Sequence, residues 1–242
     1  MISVLVVIPT YNESESIQSL LSRLDAARKV VSEMFSIDIL LVDDSSPDKT
    51  AQIATSMNLS NFSVLNRSDK SGLGPAYLAG FKQGLNLDYQ YFVEMDADLS
   101  HQPEQLVDLL KAATANSLVI GTRWMPGGSV VNWPKKRRWI SKLGTRYASF
   151  ALNLPYKDLT SGFRVLPRQL LEKIDFTSIE TRGYGFQIEM ALKAISNGFQ
   201  IKQVPITFVE RENGYSKMSM AIVWEAWFMV TIWGLRRLIK RR

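Results

Sequence analysis

The feature that most constrains the fold is an alternation of short apolar runs and helix-like segments along the first hundred residues. Val4 to Ile8 and Ile37 to Val42 are rich in β-branched residues and end in polar residues, which is typical of buried parallel strands. Between them, residues 14–35 carry apolar side chains at helical spacing. Further strand-like runs lie at 62–65 and 91–95. The pattern predicts an α/β fold in which helices flank a mostly parallel central sheet.

The same pattern continues to the end of the chain, with no internal repeat and no linker. We predict helices over 74–85, 102–113, 140–152, 167–174 and 186–196, and strands over 118–121 and 200–209. The segment from Trp124 to Pro134 is rich in Gly, Pro and Trp. We expect it to form a mobile loop that leads into a basic run, Lys135 to Arg138.

Polar clusters follow four of the predicted strands and begin at Pro9, Asp43, Asp96 and Gly121. The carboxyl ends of parallel strands meet at one edge of a sheet, so we expect these clusters to line one crevice. Two carboxylates with the spacing of Asp96 and Asp98 can bind different groups, one a ribose hydroxyl and the other a divalent cation. A single cluster is better explained by the turn-forming tendency of Asp and Asn. Four clusters in this order favour a binding site.

Composition limits the chemistry of that site. The chain has no cysteine, which excludes disulfides, thiolate nucleophiles and Cys-type zinc sites, and His101 is its only histidine. Lys and Arg together number 29 against 23 Asp and Glu, and the net charge of +6 favours anionic partners. We therefore expect the chemistry to use carboxylates, arginines and lysines, with or without a hard metal ion.

Six short motifs are spread over nearly the whole chain. They are V-I-P-T-Y-N-E at 7–13, V-D-D-S-S-P-D at 42–48, G-L-G-P-A at 72–76, M-D-A-D-L-S-H at 95–101, S-G-F-R at 161–164 and F-V-E-R-E-N-G-Y-S-K at 208–217. Together they resemble the inverting glycosyltransferases of family 2, which have the glycosyltransferase type-A fold. The fourth and sixth motifs resemble more narrowly the dolichol-phosphate, or polyprenol-monophosphate, mannose synthases.

The resemblance implies a role for each matching residue in binding the nucleotide sugar. The nucleobase and ribose would be held by Pro9, Tyr11, Glu13, Val42 and Asp44, with Asp43 as the neighbouring candidate, and the ribose and diphosphate by Asp96 and Ala97.

The same resemblance assigns the metal and the diphosphate clamp. Asp98 would coordinate Mg²⁺ or Mn²⁺, and Ser100 stands where close relatives carry a metal-binding Gln, so it would be a weaker ligand. Arg211, Ser216 and Lys217 would clamp the donor diphosphate.

For the acceptor phosphate, the resemblance implies Arg123, together with an arginine of the basic run, for which Arg138 is our choice. A guanidinium group binds phosphate in a bidentate manner. A lipid phosphate whose second pKa is near ~6 is largely dianionic at neutral pH, so it needs no strong general base. His101 is either a general base or a histidine that packs the loop before the next helix.

These assignments predict transfer of mannose from GDP-mannose to a polyprenyl phosphate with inversion, giving polyprenyl-phosphate β-mannose and GDP. The alternative within the same class is a polyprenyl-phosphate hexosyltransferase that uses a UDP-sugar. A sugar-nucleotide sensor without turnover is a third hypothesis. A nucleic-acid-binding protein is a fourth, and it gives no reason for carboxylates at four strand ends.

Two segments are expected to differ in role: a catalytic domain over 1–217 and an amphipathic, basic helix over 218–242. The second is either a helix lying in the membrane interface or a core helix with a solvated end. The N-terminus is predicted to be a strand and not a signal peptide, so we expect the protein at the cytosolic face of a membrane. A separate membrane-anchoring protein is a possible further partner.

Overall fold

Seven strands form the central sheet in this computed structural model, which describes residues 1–181, 183–211 and 227–236. The strands of the sheet are β1 (Ile2–Thr10), β2 (Phe35–Asp43), β3 (Phe62–Asn66), β4 (Tyr91–Glu94), β5 (Ser117–Thr122), β7 (Arg164–Pro167) and β8 (Gln200–Pro205). Their order is β3-β2-β1-β4-β7-β5-β8, and β7 runs antiparallel to both of its neighbours. A second, two-stranded sheet pairs β6 (Ser129–Val131) with β9 (Thr207–Val209).

Helices cover both faces of the sheet. They are α1 (Ile17–Val30), α2 (Thr50–Ser56), α3 (Leu73–Leu85), α4 (Leu106–Ala112), α5 (Lys135–Leu152), α6 (Arg168–Lys173) and α7 (Tyr184–Ser196). Residues 227–236 are also helical and are called α8 here. One apolar core lies between the sheet and α1, α2 and α4, and a second packs α3, α5, α6, α7 and α8 on the other face. The α/β fold with a mostly parallel sheet is confirmed.

Two glycines set the distance between α3 and the sheet. A Cβ atom on Gly80 would lie 2.4 Å from a methyl group of Val7, and one on Gly84 would lie 2.5 Å from Leu5 and Phe92. No real Cβ contact is that short, so both positions require glycine for the helix to reach β1 and β4. These glycines therefore serve helix packing and not ligand binding.

The structure corrects several predicted boundaries. The basic run forms the first turn of α5, which begins at Lys135 and not near residue 140. The predicted loop over 124–134 contains β6, and the predicted strand over 200–209 is two strands in different sheets, because the chain leaves the main sheet at Pro205. Strand β7 was not predicted, because its sequence R-V-L-P begins with arginine and ends with proline and is not an apolar run.

The predicted C-terminal helix over 218–242 is described only over 227–236. In the part of the chain that the structure describes, no helix is long and apolar enough to cross a membrane.

Candidate active site

The ends of β1 and β2 are joined by hydrogen bonds to the buried carboxylate of Asp43. The hydroxyl groups of Thr10 and Ser46 donate to its Oδ1 over 2.9 and 2.6 Å, and the Ser46 backbone N–H donates to Oδ2 over 2.8 Å. Asp43 therefore holds two loops together, as a turn-forming residue does. As a candidate for nucleotide binding, Asp43 would therefore act indirectly, by fixing the position of Asp44.

Asp44 pairs with an arginine that sequence reasoning missed. Arg67, which follows β3, donates to Oδ1 of Asp44 over 2.8 Å. Burial raises the pKa of Asp44, and the charge of Arg67 opposes that rise. The ammonium group of Lys70 lies 3.8 Å from the ring centre of Tyr11. The end of β3 thus adds two cations to the predicted nucleotide site. The expectation that polar residues after parallel strands line one crevice could have identified them, because both follow β3 in the sequence.

Other predicted nucleotide-binding residues lie along the same edge. Pro9 and Val42 are register partners on β1 and β2, and Ala97 is buried in the loop after β4. The backbone N–H of Glu13 donates to the hydroxyl of Thr50 over 2.9 Å, ahead of α1. The structure brings these residues to one edge of the sheet, as predicted. Ser216 and Lys217 lie outside the described residues.

The loop after β4 presents Asp98 to Arg211. An oxygen of Asp98 lies 2.8 Å from Nη2 of Arg211, and the other accepts the backbone N–H of Ser100 over 3.0 Å. Between them Leu99 has φ of 61°, a left-handed conformation that costs a leucine about 1–2 kcal/mol. Burial raises the pKa of Asp98, but Arg211 and Ser100 outweigh it and lower the pKa overall. Asp98 is therefore an ionised carboxylate beside Arg211, which is predicted to clamp the donor diphosphate.

The predicted metal ligands fit a hard divalent ion. The hydroxyl of Ser100 is buried and has no hydrogen-bond partner among the described residues, next to the carboxylate of Asp98. The described residues contain no group of three Asp, Glu, His or Cys that could hold an ion alone. Such a sparse oxygen set suits Mg²⁺ or Mn²⁺, which proteins bind through one or two carboxylates together with substrate phosphates.

His101 is a packing residue of this loop. It is buried, it stacks on Phe163 with ring centres 5.1 Å apart, and its Nδ1 accepts the backbone N–H of Asp96 over 3.1 Å. Burial, together with the charge of Arg123, lowers its pKa to about 4 against the opposing charges of Asp98 and Asp158. A neutral imidazole whose Nδ1 is occupied supports the loop-packing alternative over the general base.

Arg123, predicted to bind the acceptor phosphate, forms a buried bidentate pair with Asp158. Its Nε and Nη2 each lie 2.7 Å from an Asp158 oxygen, and Nη2 also donates to the hydroxyl of Thr160 over 3.1 Å. The Arg123 backbone N–H donates to the same carboxylate over 3.0 Å. Asp158 thus fixes the position of the Arg123 guanidinium, which lines a cavity beside this ion pair. Sequence reasoning missed Asp158, which lies outside every strand and helix.

A cavity of about 440 Å³ connects the loop after β4 with the space between α5 and α8, and we call it the acceptor cavity. Its charged lining consists of Asp96, Arg123, Lys136 and Arg137. Its apolar lining comes mainly from α5, α7 and α8 and includes Ile140, Tyr147, Ala148, Ile188, Trp227 and Val230. The cavity therefore combines a cationic and an apolar lining.

The second arginine at this cavity is Arg137 and not the predicted Arg138. The guanidinium of Arg137 lies 4.4 Å from the ring centre of Trp133 and is hydrogen-bonded to Glu210. Arg138 lines a different cavity, and its Nη2 donates to the carbonyl of Val130 over 3.0 Å. Neighbouring helical positions point about 100° apart, so the choice between them depended on where the helix begins.

A buried polar cluster lies behind the loop after β4. Arg164 donates to the carbonyls of Leu159, Ser161 and Gln187 over 2.6 to 2.7 Å. The carboxylate of Glu94 is fully buried, 3.9 Å from Nε of Arg164, with no hydrogen-bond partner among the described residues. Burial raises the pKa of Glu94 to about 7, against the charge of Arg164. Arg164 therefore explains the S-G-F-R motif as a structural element.

Comparison with known proteins places this geometry in a family. The model of "Glycosyl transferase family 2" matches residues 5–175. The chain is 46% identical over 241 residues to a polyprenol monophosphomannose synthase of Mycolicibacterium smegmatis, covering 98% of this chain and 89% of that protein. It is 50% identical over 234 residues to an undecaprenyl-phosphate mannosyltransferase of Micrococcus luteus, covering 96% of this chain and 94% of that protein.

Solved structures agree on the fold. A glucosyl-3-phosphoglycerate synthase from Mycobacterium tuberculosis, in complex with Mn²⁺, UDP-glucose and phosphoglyceric acid, superposes with a TM-score of 0.69. It is 18% identical, and the match covers 97% of this chain and 79% of that chain. The fold is thus of the glycosyltransferase type-A class, and the chain belongs to glycosyl transferase family 2.

Proposed function

We propose that the protein transfers mannose from GDP-mannose to a polyprenyl phosphate with inversion at the anomeric carbon. The products are polyprenyl-phosphate β-mannose and GDP. The names of the two relatives at 46% and 50% identity support mannose and the polyprenyl phosphate acceptor. GDP as the nucleotide rests on the sequence motifs.

The observation that carries the proposal is the mixed lining of the acceptor cavity. A polyprenyl phosphate has an anionic head and an apolar tail, and the cavity offers Arg123 and Arg137 to the head and apolar side chains of α5, α7 and α8 to the tail. Arginine forms charge-assisted hydrogen bonds with phosphate, and burial of an isoprenoid chain is favourable at about 25 cal/mol per Å². The head would then lie beside Asp96, in the loop after β4.

In the reaction, an oxygen of the acceptor phosphate forms a bond to the anomeric carbon. The bond between that carbon and the donor diphosphate breaks, and its electron pair leaves with the diphosphate. Arg123, held in place by Asp158, and Arg137 orient the nucleophile. Arg211 stabilises the charge that develops on the leaving diphosphate. No step requires His101, because the acceptor phosphate is already ionised.

Asp98 and Ser100 would hold a Mg²⁺ or Mn²⁺ ion between the protein and the donor diphosphate. Such an ion supplies electrostatic stabilisation of the leaving group. The proposal is supported by the buried hydroxyl of Ser100 and by the Mn²⁺ in solved structures of the same fold.

We propose that the molecule lies on the cytosolic face of a membrane, with 1–217 as catalytic domain and 218–242 as a peripheral segment. Exposed apolar side chains support this position: Trp139 and Phe150 on α5 are 64% and 87% exposed, and Phe228 on α8 is 66% exposed. Aromatic residues with neighbouring cations are typical of helices at a lipid interface. A separate anchoring protein would be a further means of attachment.

The test is label transfer into an organic phase from GDP-mannose, UDP-glucose or UDP-N-acetylglucosamine, with a short polyprenyl phosphate and Mg²⁺ or Mn²⁺. We expect transfer from GDP-mannose only, and a loss of about 1,000-fold in Asp98→Asn. Asp108→Asn, an exposed carboxylate on α4, is the matched control and should retain full activity. Transfer from a UDP-sugar would replace the donor assignment, and donor binding without turnover would indicate a sensor.

A further inference from the structure

A second cavity of about 830 Å³ lies beside the acceptor cavity, and we call it the basic cavity. Arg123 and Thr145 line both cavities and separate them. The proposed transfer reaction makes no use of the basic cavity.

The charges that line the basic cavity are of one sign. Arg138, Lys142 and Arg146 lie at i, i+4 and i+8 on α5, and Lys157 joins them from the segment after that helix. No acidic residue lines the cavity, and among the described residues none of these four cations forms an ion pair. Like charges four residues apart destabilise a helix. The arrangement is unfavourable for the chain alone and favourable for an anion.

Two hydrogen-bond donors at this cavity are buried without partners. The indole Nε1 of Trp124 and the hydroxyl of Thr145 have no hydrogen-bond partner among the described residues. Buried donors in proteins are nearly always satisfied, by protein, water or ligand. The ammonium group of Lys142 lies 5.1 Å from the ring centre of Trp124, so a cation and an unpartnered donor occupy the same wall.

We propose that the basic cavity is a second anion site, which binds a phosphate group separately from the acceptor phosphate. Four cations and two unpartnered donors match the oxygen atoms of a phosphate. The phosphate could belong to a free ion or to the headgroup of an anionic phospholipid. The second source is consistent with Trp139, Leu143 and Phe150, which form an exposed apolar stripe on α5 beside the cationic one.

The test follows the indole N–H resonances of protein labelled with ¹⁵N-tryptophan, assigned by Trp→Phe variants. Trp124 reports on the basic cavity and Trp133 on the acceptor cavity. The probes are inorganic phosphate and a soluble, short-chain phosphatidylglycerol. The test variant is Lys142→Gln/Arg146→Gln, and Lys82→Gln/Lys111→Gln removes the same charge from exposed sites on α3 and α4. Lys157→Gln is a milder second variant.

We expect at least one of the two probes to shift the Trp124 resonance in the wild type and in the control, and not in the test variant. Arg137→Met should suppress the response of Trp133 and leave that of Trp124 intact. Failure of mannose transfer would leave these shifts unaffected, so the two proposals fail separately. A Trp124 resonance that moves with neither probe, or that moves equally in test and control variants, would overturn the site.

A vesicle experiment distinguishes the two sources. If the phosphate belongs to a lipid, binding to phosphatidylcholine vesicles containing phosphatidylglycerol should be about 30-fold weaker in the test variant than in the control, at about fivefold per basic residue. If the phosphate is free, vesicle binding should be equal in both and inorganic phosphate alone should shift Trp124. Equal weakening in both variants without a Trp124 shift would assign the effect to net charge and overturn the proposal.

Discussion

The donor edge, formed by the ends of β1, β2 and β4, differs sharply from the basic face around α5. At the donor edge the acids have partners within the chain: Asp43 accepts three hydrogen bonds, Asp44 pairs with Arg67 and Asp98 pairs with Arg211. In α5 the first turn contains Lys135 to Arg138 and no acid, although the helix dipole is already positive there. The fold fixes the donor edge, whereas the basic face is arranged for ligands from outside.

The largest expected effect comes from the buried ion pair of the basic face, between Arg123 and Asp158. Asp158→Asn leaves the guanidinium of Arg123 buried without its counter-charge, and breaking such a pair costs about 3–5 kcal/mol. Tm should fall by about 10 °C in thermal unfolding followed by circular dichroism. Asp108→Asn removes an exposed carboxylate and should leave Tm unchanged. A similar Tm for both variants would mean that the Arg123–Asp158 pair does not support the fold.

The second prediction concerns the pH dependence of stability, which two buried groups drive in opposite directions. The pKa of Glu94 rises from 4.5 to about 7, so its contribution to the free energy of unfolding is lost as the pH rises through that range. The pKa of His101 falls from 6.5 to about 4, so its contribution is lost as the pH falls through that range. Between pH 4.5 and 6.5 the two slopes oppose each other.

Glu94→Gln should therefore change how steeply the free energy of unfolding varies with pH, and not only the denaturation midpoint. Between pH 4.5 and 7 the Glu94 contribution changes by an amount on the order of 3 kcal/mol. Without it, the His101 contribution remains, and the free energy of unfolding rises with pH between 4 and 6.5. Urea unfolding at several pH values measures this slope. Glu172→Gln, at a half-exposed site on α6, is the control and should keep the wild-type profile. An unchanged slope in Glu94→Gln would contradict the raised pKa.

The comparison also explains what the sequence could predict. The donor edge follows from a rule about strand ends, so Pro9, Asp44 and Asp98 could be located from local sequence alone. Arg137 and Asp158 could not, because their roles depend on the start of α5 and on the irregular segment that brings Asp158 to Arg123. Strand β7 was missed because its sequence, R-V-L-P, is not an apolar run. Motif resemblance identified Arg164 but not its role as a buried donor to three carbonyls.

The third prediction separates two neighbouring arginines on the basic face. Arg137→Met should lower kcat/KM for the polyprenyl phosphate by about 100-fold, the value of a charge-assisted hydrogen bond. Arg138→Met removes the same charge one position along α5, at the basic cavity, and should change that constant far less. Steady-state kinetics with varied acceptor distinguishes the two variants. Equal losses would mean that the two cavities act as one acceptor site.

The smallest expected effect tests whether the donor edge is fixed by its own hydrogen bonds. Thr10→Val removes the 2.9 Å bond to Asp43 with little change of shape, and Ser46 still donates two bonds to that carboxylate. We expect a loss of about 1 kcal/mol in the free energy of unfolding, because the bond is buried but Asp43 keeps its two hydrogen bonds from Ser46. Thr177→Val removes an equivalent Thr–Asp bond at an exposed site and should cost less.

Binding of GDP to Thr10→Val, measured by calorimetry, should weaken in parallel with stability. If GDP affinity instead stayed at the wild-type value, Asp44 would hold its position without the hydrogen bonds of Asp43, and the edge would be less dependent on internal pairing than its geometry indicates.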